Sequence, residues 1–158
     1  MKALAGLACV ALLGGTSPAF AQPKAPSPEP TVQDLAGRWT SAYNTRNVDA
    51  IAALYSPRAE LYIHREGRFV GRGDIRTYWA KDFTIINPMT VLTVTDSVVD
   101  EEMMLVHGNY QVLDRTTGVP QTKGRFAHIW VRDAAGKWLL DRDLWNQPAD
   151  GDLMPPSP

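Results

Sequence analysis

From Thr90 to Gln147 the chain reads as four successive strand-type stretches, 90–99, 102–113, 121–132 and 137–147, rich in β-branched and aromatic residues. Short turn signals separate them at Asp100-Glu101, Thr116-Thr117-Gly118 and Asp133 to Gly136. Long strands joined by turns this short pair antiparallel, because a parallel return needs a crossover of a dozen residues or more. The second half of the domain is therefore one meander, and whatever precedes it must cover one of its faces.

What precedes it is helical. Thr31 caps a helix with Asp34 in the first turn, and Val32, Leu35, Ala36, Trp39, Ala42 and Tyr43 make one apolar stripe that ends at Asn44. A shorter second helix carries Val48, Ile51, Ala52, Leu54 and Tyr55, and Ser56-Pro57 stops it. Residues 59–70 are β-type on both sides of Glu66-Gly67, which predicts a hairpin. Gly71-Arg72-Gly73 breaks that pattern, and a third helix follows with Asp74 as its cap and Ile75, Tyr78 and Trp79 on one side. Helices first and strands after predict an α+β domain with its helices on one face of the sheet.

The ends of the chain differ from this body. Lys2, the apolar run Ala3 to Leu13 and the small-x-small sequence Ala19-Phe20-Ala21 have the form of a secretory signal peptide cleaved after Ala21, and the apolar run is too short to span a bilayer. Export to the periplasm or beyond is the expectation. Residues 22–30 form a proline-rich tether and residues 148–158 a tail of similar composition, so one domain is expected over 31–147.

Cleavage would remove the only cysteine, Cys9, leaving neither a disulfide nor a thiol nucleophile. It would also remove Lys2 and take the formal charge of −1 to −2, with no basic cluster in the remainder. Nucleic acid and membrane are accordingly not expected as partners of the mature chain. The three histidines lack close spacing, so no metal site is predicted. Gly71-Arg72-Gly73-Asp74 lacks the length and context of a phosphate loop, and Ser41, Ser56 and Ser97 show no nucleophile elbow.

The last two strands carry the chemistry. Phe126, His128 and Trp130 share one face of the first, and Leu139, Asp141, Asp143 and Trp145 share one face of the second. A loop of two or four residues would set His128 across from Asp141 and Phe126 across from Asp143, whereas a three-residue loop with Gly136 left-handed shifts the parity. The first arrangement sorts the residues into an aromatic and polar face and an aliphatic face carrying Leu140. A carboxylate from Asp143 or Asp141 would orient His128 and raise its basicity; a structural hydrogen bond is the competing reading.

The order of elements and the stretches "NTRNVDAIAALYSPRAELY", "GRGDIRTYW" and "GRFAHIWVRDAAGKWLLDRDLWN" resemble the SnoaL-like branch of the nuclear transport factor 2 and ketosteroid isomerase-like superfamily. The resemblance spans 31–147. It implies a cone-shaped, cystatin-like α+β barrel, with a strongly bent antiparallel sheet wrapped round the first helix, a ligand cavity between them, and a homodimer through the outer sheet face. Ketosteroid isomerases use a helix Tyr, a strand Asp base and a protonated Asp; the matching positions here are Trp39, Tyr62 and His128. None is kept, so that activity is not implied.

The expected function is binding of a small apolar or aromatic molecule, either by a cofactor-free acid–base enzyme or by a non-catalytic binding or assembly module whose cavity is filled by its own aromatics. The candidate catalytic residues are His128, Asp143, Asp141 and Tyr62. The candidate ligand contacts are Trp39, His64, Trp79, His107, Asn109, Phe126, Trp130 and Trp145.

Overall fold

The computed structural model describes residues 29–147 apart from Ile86. The proposed signal segment and C-terminal tail lie outside the described residues, as does the tether up to residue 28. Helix α1 runs Val32–Asn44 and opens on a full capping box: Thr31 Oγ1 accepts from the Asp34 amide, and the Asp34 carboxylate accepts from the Thr31 amide at 2.8 Å. Its buried residues, Leu35, Ala36, Trp39, Ala42 and Tyr43, are the expected stripe.

Helix α2 is shorter than its stripe suggested, Val48–Ala52, with the Asn47 side chain capping it by accepting from the Ala50 amide. Leu54 and Tyr55 are not helical. The chain extends from Tyr55 into β1, Tyr55–Ile63, so Ser56-Pro57 lies within the strand rather than ending the helix. Pro57 disfavours a helical Ser56, and the extended chain that results already includes Tyr55, whose side chain is buried in the core. Strand β2, Gly67–Val70, pairs back on β1 across His64, Arg65 and Glu66, with Arg65 at φ 66 and Gly67 at φ 116. Helix α3 starts at Gly71, φ 83, and runs to Ile85, which puts Asp74 in its first turn rather than at its cap.

Strands β3 (Pro88–Val99), β4 (Met103–Asp114), β5 (Pro120–Arg132) and β6 (Trp138–Asn146) form the expected meander. The sheet order is β2-β1-β6-β5-β4-β3, and every junction is antiparallel except β1–β6, which is parallel. Register shifts in β1, β3, β4–β5 and β5–β6 bend the sheet round α1 and α3. The bend brings backbones close: a Cβ on Gly108 would meet the Thr93 carbonyl oxygen at 2.0 Å, so glycine is required there.

The inner face of the sheet and the two longer helices enclose one core, in which Trp39, Trp130, Tyr55, Leu35, Ile51, Leu61, Ile75 and Leu140 are sealed from solvent. Among the described residues no helix is long and apolar enough to cross a membrane.

Candidate functional site

The β5–β6 turn takes the three-residue form. Gly136 is left-handed at φ 78, its amide donates to the Asp133 carbonyl at 2.8 Å, and Arg132 pairs with Trp138. That parity would have put His128 out of step with both aspartates. A bulge between Ile129 and Trp130 then restores it, so His128 stands opposite Asp143 and Phe126 opposite Trp145. The favoured pairing of His128 with Asp141 is thus corrected by one bulge that alternation alone does not reveal. Asp141 points away, accepting from Ser56 Oγ at 2.6 Å and pairing with Arg142. Leu140 moves to the buried core instead of the aliphatic outer face.

His128 and Asp143 are both fully buried, with Nε2 3.3 Å from Oδ1. The other Asp143 oxygen accepts from the Tyr55 hydroxyl at 2.5 Å, and that hydroxyl accepts from the indole N–H groups of Trp79 at 3.1 Å and Trp39 at 3.3 Å. Burial, then the Asp143 charge, pushes the Tyr55 phenol well above its usual range, so it stays a donor. The His128 ring lies among Trp39, Phe126, Trp130 and Trp145 at 4.7–6.2 Å between centroids. It lines neither of the two concavities described below.

The cavity lies on the other side of Trp39 and Trp145. It has a volume of about 490 Å³ and opens between α1, α3 and the inner sheet face. Trp39 and Tyr43 come from α1, Tyr78, Trp79 and Asp82 from α3, Thr90 from β3, Tyr110 and Val112 from β4, Thr122 from β5 and Trp145 from β6. Ile63, His64 and Glu66 form the rim at the β1–β2 turn; Asn87, Asp114 and Gln121 form the opposite rim. The walls hold one another by ring contacts, Trp39 stacked on Tyr43 at 4.9 Å and edge-on to Trp79 at 5.7 Å, and Tyr110 edge-on to Trp145 at 4.9 Å.

Asp82 is the carboxylate inside this space. Tyr43 Oη donates to its Oδ2 at 2.8 Å. Burial raises the Asp82 pKa, the Tyr43 hydrogen bond opposes that rise, and the Glu66 charge adds to it. Tyr43 and Tyr78 are both held as neutral phenols, first by burial and then by the neighbouring carboxylates. The arrangement offers a hydrogen-bonded acid–base pair, Tyr43–Asp82, against flat apolar walls.

Of the sequence candidates, the structure brings Trp39, His64, Trp79 and Trp145 to this cavity. Phe126 and Trp130 pack in the core around His128. Tyr62, His107 and Asn109 lie on the opposite, outer sheet face, along a separate concavity of about 1580 Å³. There the Tyr62 hydroxyl donates to Glu60, and His107 lies 3.6 Å from Asp96. Tyr62 lies outside because Leu61 and Ile63 take the inner side of β1, and the expected shared face with His64 does not hold for the inner cavity, since His64 lies past the end of the strand in the β1–β2 turn. Asp82, missed in the sequence, follows Tyr78 by four residues and Trp79 by three; that spacing set it on the same helix face. Among the described residues no three His, Cys, Asp or Glu side chains gather closely enough to hold a metal ion.

Comparison with known proteins bears on this geometry. The SnoaL-like domain family matches residues 36–140. No curated protein matches the chain. Solved structures with the same fold include a Thiobacillus denitrificans protein named for the association domain of calcium/calmodulin-dependent protein kinase type II, with TM-score 0.68, 11% identity, and coverage of 76% of this chain and 97% of that one. A ketosteroid isomerase-like protein from Erwinia carotovora atroseptica has TM-score 0.62, 16% identity, and coverage of 75% and 94%. A Nostoc punctiforme protein of unknown function with a cystatin-like fold has TM-score 0.64, 14% identity, and coverage of 78% and 98%. At such identities the likeness establishes the fold alone.

Proposed function

The chain belongs to the SnoaL-like domain family, and from that premise we propose that it binds a small, flat, largely apolar molecule in the cavity between α1, α3 and the inner sheet face. The observation that carries this is the cavity itself: about 490 Å³ remain open beside Trp39, Trp79 and Trp145, within the roughly 300–1,000 Å³ of small-molecule sites. The aromatic side chains therefore wall a hollow instead of filling it.

Any proton transfer in that site runs through Asp82, assisted by Tyr43, because these are the paired groups that line it. His128 and Asp143 support the wall from behind by anchoring Tyr55, which in turn holds the indoles of Trp39 and Trp79. The signal-like segment at residues 1–21 supports export, which would make the ligand one met outside the cytoplasm. A homodimer through the outer face is supported by exposed Val98, Met103 and Leu144.

A thermal-shift screen of hydrophobic metabolites tests the binding reading. A ligand at 100 times its Kd stabilises the native state by about 2.7 kcal/mol, which raises Tm visibly. Hits that also quench tryptophan fluorescence support the cavity; a screen without a single hit opposes it.

A further inference from the structure

The cavity is unusual in its charge. Glu66, Asp82 and Asp114 line it, whereas none of its lining residues is Lys or Arg. Asp114 is occupied by its own turn, where one carboxylate oxygen accepts from the Thr116 and Thr117 amides and the Thr117 hydroxyl. Asp82 and Glu66 have no ion-pair partner among the described residues, although Glu60, Asp49 and Asp141 all do. Asp82, half-buried inside the aromatic chamber, and Glu66, exposed at its rim, are thus left without a countercharge, which is costly for Asp82, where water is partly excluded.

Aromatic faces and carboxylates recognise the same kind of group. The π-faces of tryptophan and tyrosine attract a cation electrostatically, and an adjacent carboxylate neutralises it. Anions meet the opposite: two like charges and no donor cation. Resting on the cavity-binding reading above, we propose that the ligand is an organic cation, an ammonium group carried on a flat apolar body, with the ammonium between Asp82 and Glu66 and the apolar body against Trp39, Trp79 and Trp145.

Burial and the Glu66 charge both raise the Asp82 pKa, and a bound ammonium would reverse that strain. His64 at the rim is the lining group able to carry positive charge. The test is run at a single pH, about 8, at which an alkylammonium probe keeps its charge.

Three probes of one shape separate the possibilities: 2-naphthylmethylammonium, the neutral 2-naphthylmethanol, and anionic 2-naphthoate, titrated calorimetrically into the full protein. The inference predicts that the ammonium binds at least roughly tenfold tighter than the alcohol, and the naphthoate weakest. Asp82→Asn should cut the advantage of the ammonium over the alcohol several-fold. Glu66→Gln, at an exposed rim position, should reduce the preference without touching the core, and it covers the case in which Asp82→Asn folds poorly. Equal binding of alcohol and ammonium, or tightest binding of naphthoate, overturns the cation inference and leaves the cavity reading standing. Failure of all three to bind overturns both.

Discussion

His128 Nε2 lies 3.3 Å from Asp143 Oδ1, with both side chains sealed from water and the second Asp143 oxygen taken by Tyr55. The pair joins β5 to β6 at the centre of the sheet, and through Tyr55 it reaches the indoles of α1 and α3. Its geometry is that of a strut.

His128→Ala should therefore act on stability. Truncation opens a void in the ring cluster and removes the imidazole beside Asp143, costing roughly 2–4 kcal/mol. For a domain of this size each kcal/mol moves Tm by roughly 3–6 °C, so melting followed by circular dichroism should show a fall of at least about 6 °C. Ligand affinity of the remaining folded protein should change little. A Tm close to wild type together with lost binding would return His128 to the site.

The Asp82 carboxyl carries a pH signature whose sign follows from its environment. Its folded pKa is raised, first by burial. A raised carboxyl contributes stability that is full below its unfolded value and is lost as pH rises through the folded value. Asn keeps the acceptor for Tyr43 and removes the charge. Asp82→Asn should accordingly raise Tm at pH 7, and the gain should shrink as pH falls through the raised folded value and be gone below the ordinary Asp value of 3.8. A gain independent of pH would contradict the assignment.

Glycine 108 marks the sharpest approach of β3 to β4, opposite the bulge between Val94 and Asp96. Backbone atoms of Thr93 and Thr95 occupy the volume a Cβ would need, at 2.0–3.0 Å. Gly108→Ala should cost about 1–3 kcal/mol, visible as a lower urea midpoint with the denaturant slope unchanged.

How much of this was legible beforehand depends on the residue. Capping at Thr31, the α1 stripe and the meander follow from periods of 3.6 and 2, which sequence displays directly. His128 facing an aspartate was also legible, since both carry the same alternation. Which aspartate was not, because one extra residue in β6 changes the parity and no side chain signals it. Of the four tryptophans expected as walls, Trp39, Trp79 and Trp145 line the cavity and Trp130 packs in the core. Asp82, Thr90, Thr122 and Glu66 were not singled out, because they lie on four different elements and only the bend of the sheet gathers them.

The outer face makes a separate prediction. Leu140 is sealed in the core, so Leu140→Asp should unfold the domain and reports nothing about assembly. Leu144 is 38% exposed on the opposite side. Leu144→Asp should convert a dimer to a monomer in light scattering while leaving Tm of the dilute protein nearly constant; an unchanged mass would place the interface elsewhere.

The cavity between α1, α3 and β5 carries the whole functional reading, and filling it is the most direct test. Thr122 is a partly buried lining residue, and Thr122→Trp would place an indole in the space a ligand needs. Calorimetric titration of the best thermal-shift hit into wild type and Thr122→Trp, with Tm measured alongside, should show binding to the first and none to the second at similar stability. Equal affinity for both proteins would contradict the account.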